Sequence, residues 1–378
     1  SKSKKIMKIV ETGVISSAEV GTARACINFG TVTILHNGDL LATYRVGDNK
    51  DSDQEQIEFS RSHDNGRSWS KPTNPFIDTV VDGQLGTLKL CYLTEISVGH
   101  LLAAVMWVDR TSHPGMPLFN AKTEGCLPMA ILLADSHDGG ATWTSWRKIT
   151  MSDDIGPPSL TNPILKLADG SLAMSVETNK HYYDTSKWRQ RAVLFQSFDN
   201  GRSWSETAPI AEDVTAGVSN WDLRCGVGAS GSVATFAWTY DITTQKYLNI
   251  HRRISTDNMN SWSEPLDLGF ADQAGPPAML SDGRVVLAWV DRFGGQCIRA
   301  RISPAIDAPF DPKSEVLIYQ HPLPKDSNTQ DTGDLLAGME MWSFGLPFAV
   351  HLPDDDVLIA YYAGDHSAMD LYFARLVV

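Results

Sequence analysis

Four times this chain spells the same eight-residue turn. The copies are Ser62-His63-Asp64-Asn65-Gly66-Arg67-Ser68-Trp69, Ser136 to Trp143, Ser197 to Trp204 and Ser255 to Trp262. A repeat constrains architecture more than any single motif does, because each copy marks one supersecondary unit and the units must stack to bury their apolar faces. The local physics is legible. Asp turns the chain through its side-chain acceptor, Gly supplies a positive φ, and Trp covers the turn on its return. Met259 stands in the fourth copy where the other three have Gly.

The segments between the turns read as short strands. Val32 to Leu35 is apolar, His36-Asn37-Gly38-Asp39 is a hairpin turn, and Leu40 to Tyr44 is apolar again. Asn-Gly between apolar runs is a strong hairpin signal. Comparable pairs begin at Leu88, Pro163, Leu223, Ala278 and Phe348, and in the first four units a third strand runs straight into the repeated turn. Ser303 to Asp311 reads as a decayed fifth copy. Helical periodicity is absent. The pattern predicts one all-β domain over 1–378 built of six four-stranded antiparallel units, at roughly 25–80, 81–150, 155–210, 215–268, 270–318 and 335–378. The last unit lacks a strand, which 6–12 can supply, closing a ring and removing the exposed edges. The longest irregular segment is His321 to Met341.

The repeated turn resembles the Asp-box, S-x-D-x-G-x-x-W, of the sialidase-like six-bladed β-propellers. The resemblance implies that fold and places the boxes on the face away from an active site. It does not extend to the sialidase catalytic set. Asn28 and Gln273 stand where the family has arginines that grip the substrate carboxylate, and Trp342 stands where it has a nucleophilic Tyr. Arg45 and Asp53 lie near the family's second first-unit Arg and its acid/base Asp, and Arg224 is a match on position alone. Sialic acid is therefore not the expected substrate.

Composition narrows the remaining classes. A net charge of −13 over 378 residues argues against nucleic acid or an anionic membrane surface as partner. No apolar run is long enough for a membrane span. The five cysteines are scattered without metal-ligand spacing, so no metal or other cofactor is expected and reduced buried thiols are. That favours the cytoplasm, unless an N-terminal signal has been removed.

If the turns mark one face, the ends of the second strands mark the other, where a propeller binds its ligand. A census there collects Arg45, Trp107, Asp109, Arg110, His113, His181, Tyr240, Asp291, Arg292 and His366, with Trp342 from the last unit. Aromatic faces for sugar faces, charged groups for hydroxyls and paired carboxylates for cleavage are the makings of a carbohydrate site. The expected function is exo-acting glycoside hydrolysis by a carboxylate pair. Asp53 is the candidate acid, Glu177 the nucleophile or base, and Asp241 the reserve. Glu177 ends an apolar strand, so desolvation should raise its pKa. Two alternatives stay open. One is a lyase using His113 or His181 as base, with Arg110 or Arg292 neutralising a uronate. The other is a glycan-binding propeller without turnover. The acidic run Asp48 to Glu55 is also a candidate Ca²⁺ ligand set without EF-hand spacing.

Overall fold

A computed structural model describes residues 6–212, 217–322 and 342–378. The expected irregular segment lies outside the described residues from 323 to 341. The architecture is an all-β propeller. Its helical content among the described residues is two short 3₁₀ turns, Asp153–Ile155 and Pro312–Ser314. Among the described residues, no helix is long and apolar enough to cross a membrane.

The strands pair as successive antiparallel meanders. Cys26–Ile34, Leu40–Gly47 and Gln56–Ser62 form the first, and Gln84–Ser97, His100–Asp109, Met129–Ser136 and Arg147–Lys148 the next. Leu172–Glu177, Ala192–Ser197 and Ser205–Ala211 follow, then Val218–Val227, Val233–Asp241 and His251–Ser255. Val285–Asp291, Cys297–Ser303 and Val316–Gln320 come next, and Phe344–His351, Val357–Gly364 and Met369–Val377 complete the series. Lys8–Ser16 runs antiparallel to Met369–Val377.

Second strands such as Leu40–Gly47 and Leu172–Glu177 are buried along their whole length. Each is covered on both faces, which is why it reads as a continuous apolar run rather than an alternating one. The covering is by neighbouring sheets. Leu41 and Phe59 share a core with Leu93 and Leu101, Leu194 with Leu223 and Val233, Phe236 with Leu287 and Trp289, and Val286 with Val357 and Ile359.

The innermost strand of each meander is broken. Register shifts fall between Asn28 and Thr31, Leu88 and Leu90, Trp221 and Arg224, and Gly345 and Phe348. In the other two meanders the strand splits, into Ser159–Leu160 and Leu165–Lys166, and into Gln273–Ala274 and Ala278–Met279. Pro163, Pro276, Pro277 and Pro347 sit in these breaks and have no N–H for a ladder bond. Phe29, Asp222 and Leu346 take positive φ of 51°, 45° and 48° there. Non-glycine residues in that region are strained, and such bulges re-aim side chains. Here they aim them into one shared cavity.

The four repeated turns are superimposable in their hydrogen bonds. In the first, Ser62 Oγ donates to Asp64 Oδ1 at 2.8 Å and accepts from Gly66 N–H at 2.8 Å, while Ser68 N–H donates to Asp64 Oδ1 at 2.8 Å. Ser136, Ser197 and Ser255 open the same arrangement. Met259 adopts the glycine's left-handed conformation at φ 67° and buries its side chain beside Leu167 and Leu223. Removing that side chain costs about 2–4 kcal/mol, and releasing the backbone returns about 1–2 kcal/mol. Met259→Ala should therefore be less stable in urea unfolding than Met259→Gly, and both less stable than the wild type. Met259→Gly as stable as the wild type would mean that packing of the side chain does not outweigh the backbone strain, and Met259→Ala as stable as Met259→Gly would mean that the backbone carries no strain.

Candidate active site

The breaks open on a cavity of about 680 Å³. Phe29, Lys89, Thr161, Asp222, Gln273 and Leu346, one from each meander's inner strand, line it. None of the repeated turns does.

Glu177 is the best-held group in the wall. It ends Leu172–Glu177 and is 6% exposed. Its carboxylate accepts from Thr161 Oγ1 at 2.5 Å, Gln190 Nε2 at 3.2 Å, Asp222 N–H at 2.9 Å and Leu223 N–H at 3.2 Å. Burial, then the charge of Asp222, push its pKa up to about 8, against the pull of those hydrogen bonds and of Arg224. The neighbours accommodate the proton. Thr161 Oγ1 has one hydrogen and two acceptors within reach, Glu177 Oε2 and Leu223 O, the latter at 3.2 Å. With Glu177 protonated, the acid donates to Thr161 and Thr161 donates to Leu223, so every partner is satisfied.

Asp222 stands beside it on the bulge. Its Oδ2 accepts from Gln273 Nε2 at 2.6 Å, and Gln273 Oε1 accepts from Arg292 Nη2 at 2.9 Å. Arg292 is also fixed by Phe344 O at 2.6 Å and lies 4.2 Å from the Trp342 ring centroid. Arg224 donates to Thr161 O and to Ala274 O. Lys50 Nζ donates to Trp342 O and to Tyr362 OH, each at 3.0 Å. Trp188 and Trp221 stack at 6.1 Å between centroids, Trp221 and Tyr240 at 5.2 Å, and Trp238 lies 6.0 Å from Trp342.

From the lining residues Asp51 and Lys89 a buried ion network runs back from this wall. Glu55 pairs with Arg45 at 2.7 Å, Lys89 at 3.1 Å and Arg110 at 2.6 Å, and Asp51 pairs with Arg110 at 2.7 Å and Lys89 at 3.5 Å. Burial would raise both carboxyls, but the surrounding cations overcome it and hold each at about 2. The acidic run read as a Ca²⁺ candidate is thus neutralised from within at its two buried members.

Of the residues expected at the site, the structure gathers Glu177, Arg292 and Trp342 in the cavity wall. Arg45 and Arg110 lie one layer back in the ion network. Tyr240 backs Trp221, and His113 packs at a tilt against the wall residues Tyr182 and Tyr183, at 5.2 and 5.6 Å between centroids. The others lie outside the lining. Asp53 and His366 are exposed. Asp109, Asp241 and Asp291 accept from backbone N–H groups of their own turns. Trp107 is core, with its indole N–H on Thr79 O, and His181 pairs with Asp153 at the surface. Asp222, Thr161 and Lys89 lie in or between inner strands and Gln190 just before a third strand, so second-strand ends do not reveal them, whereas Lys50 sits in the acidic run after Leu40–Gly47, where the carboxylates are the more conspicuous groups. The available signal was polar residues inside inner strands, as in Asn220-Trp221-Asp222-Leu223-Arg224. Asn28 and Gln273 do line the cavity.

The Glu177 proton has a consequence for stability. The group titrates near 4.5 when free and near 8 in the fold. Between those values the folded chain holds a proton that the unfolded chain has released. The stability it contributes is complete below about 4.5 and is lost as pH rises through about 8. Unfolding free energy should fall by roughly 3–5 kcal/mol across that window from this group. Glu177→Gln should flatten the profile, and an unchanged slope in the variant would assign it to another group.

No protein-family model matches the chain. A sialidase of Bacteroides fragilis is 26% identical over 254 residues, 58% of this chain and 44% of that protein, so the match spans under half of the relative's length. Among solved structures, a protein of unknown function from Dyadobacter fermentans aligns with a TM-score of 0.73 at 20% identity, over 98% of this chain and 99% of that one. A leech intramolecular trans-sialidase complexed with 2,7-anhydro-Neu5Ac gives 0.67 at 14%, over 97% and 70%. A Penicillium chrysogenum α-L-arabinanase complexed with arabinobiose gives 0.62 at 16%, over 97% and 98%. At these identities the structural likeness is one of fold.

Proposed function

We propose that this protein is a glycoside hydrolase-like, carbohydrate-active enzyme with an exo-acting site in the central cavity. We read the chain as a single domain of six blades, closed by the pairing of Lys8–Ser16 with Met369–Val377. The observation that carries the functional reading is a proton-holding Glu177 beside Asp222 in a tryptophan-lined cavity. Glycosidic cleavage uses a pair of carboxyl groups, one of which must bring a proton to the leaving oxygen, and Glu177 holds one. The Bacteroides sialidase and the arabinanase support a carbohydrate substrate.

In this reading Glu177 gives its proton to the glycosidic oxygen as the bond from the anomeric carbon to that oxygen breaks. Glu177 thus takes the acid role expected of Asp53, and Asp222 takes the role expected of Glu177: it attacks the anomeric carbon or draws a proton from the attacking water. Gln273 and Arg292 orient Asp222, and Thr161 orients Glu177. Trp188, Trp221 and Trp342 give the sugar an aromatic wall. Asn28, Gln273 and Trp342 at the cavity wall favour a constellation other than that of sialidases.

A uronate lyase is the second reading. Lys50 held against Tyr362 OH, with Arg224 and Arg292 in the same wall, favours it. A panel of aryl glycosides and of neutral and acidic oligosaccharides separates the two. Hydrolysis releases reducing ends without ultraviolet absorbance, and elimination gives an absorbing unsaturated product. Binding without either product would overturn both readings.

A further inference from the structure

Away from the cavity, the second repeated turn carries a cluster that the glycosidase reading leaves unused. His100 opens the strand His100–Asp109, and Asp135 is the penultimate residue of Met129–Ser136. The ladder pairs Leu101 with Ser136 and Leu102 with Asp135, so the next position along it sets His100 opposite His137. Side chains alternate across a strand, which puts Asp135 and His137 on one face and brings His100 to the same face from the neighbouring strand. Each of the three has a ligating atom within 4.8 Å of the others. His100 Nε2 lies 2.8 Å from Asp135 Oδ1, and the two imidazoles face each other at 4.3 Å between centroids with a 33° tilt.

The setting is pre-organised. The turn that presents His137 is locked by Ser136 Oγ, which donates to Asp138 at 2.8 Å and accepts from Gly140 N–H at 2.8 Å. Gly139 N–H donates to Gly99 O at 3.0 Å, tying the turn to the hairpin that carries His100. Arg147 pairs with Asp135 Oδ2 and is itself anchored on Gly201 O, which leaves Oδ1 facing His100. An outer partner of this kind orients a metal-binding carboxylate. His100 and Asp135 are mostly buried while His137 is exposed, so the cluster has both a fixed base and an open side. The corresponding positions of the other turns are His63, Phe198 and Thr256, and only the second turn sets a second histidine against its own.

We infer that His100, Asp135 and His137 form a surface site for one borderline divalent cation, Zn²⁺ or a close chemical relative, which staples the hairpin to the turn. Two imidazoles and a carboxylate suit such an ion, whereas Ca²⁺ prefers an all-oxygen set. Binding would replace the hydrogen bond between His100 and Asp135 by two metal–ligand bonds and recruit His137, whose ring otherwise only stacks.

The test is calorimetric titration of tag-free, chelator-treated protein with ZnCl₂ and, separately, CaCl₂, read beside thermal unfolding. One Zn²⁺ per chain with a raised Tm is expected, with no response to Ca²⁺. His100→Ala and His137→Ala should each weaken Zn²⁺ binding by about 10-fold or more. His137 is exposed, so its variant keeps the fold, and His63→Ala in the first turn should leave binding unchanged. Absence of Zn²⁺ binding to the wild type at 0.5 mM, or binding that survives both histidine substitutions, would overturn the site.

Discussion

Asp222→Asn should lower turnover of the preferred glycoside by about 10²–10⁴-fold, the usual worth of a positioned acid or base. The amide can still accept from Gln273 Nε2 through its oxygen, and the backbone N–H that holds Glu177 is untouched, so the cavity keeps its shape. The variant also carries a second signature. The Asp222 charge helps raise Glu177, so its removal should move the basic limb of any residual pH–rate profile to lower pH. Glu177→Gln should cost a similar factor and erase that limb. Turnover within about threefold of wild type in Asp222→Asn, with an unmoved limb, would remove this residue from the chemistry.

Glu55→Gln should destabilise the fold by about 3–5 kcal/mol, because it strands buried cations around a neutral group. Arg45, Lys89 and Arg110 all converge on that one carboxylate, whose side chain has no exposed surface. The pH dependence runs opposite to that of Glu177. Glu55 is ordinary at 4.5 and is held at about 2 in the fold, so its contribution is present above about 4.5 and is lost as pH falls through about 2. Wild type should therefore lose stability on acidification below about 4.5, and the variant should lose less. Equal stability of the two proteins at pH 7 would mean that the network's desolvation cost and its attraction cancel. Lys89 reaches from the network to the cavity wall, so loosening it should also raise KM.

The fold was legible because its signals are local. A hairpin Asn-Gly, a serine ending a strand and an aspartate two residues later announce themselves without reference to the rest of the chain. The site was legible only where a local rule also held. Glu177 ends an apolar run, and its perturbed acidity follows from that position. Asp222 offered no such cue, since it interrupts a strand at a bulge whose geometry depends on pairing with Thr235 to Asp241 and on packing against Gln273. Arg45 and Arg110 show the converse. Both sit at the expected strand ends, but Glu55, 10 and 55 residues away in sequence, claims them. Which cation faces a ligand and which faces a carboxylate is decided by contacts between meanders, which strand periodicity does not encode.

The interrupted inner strands also separate two kinds of inheritance. Residues in the second and third strands are tied into ladders and cores on both sides, so change there is felt throughout the scaffold. Phe29, Lys89, Asp222 and Leu346 sit where the ladder has already let go, and Thr161 lies in the gap of a split strand. Asp222, Thr161 and Lys89 are committed to the carboxyl pair and the ion network, but exchange at Phe29 and Leu346 rewrites what the cavity offers a ligand without asking any strand to find a new partner. A library confined to these two positions is a direct way to search for altered ligand preference at constant fold.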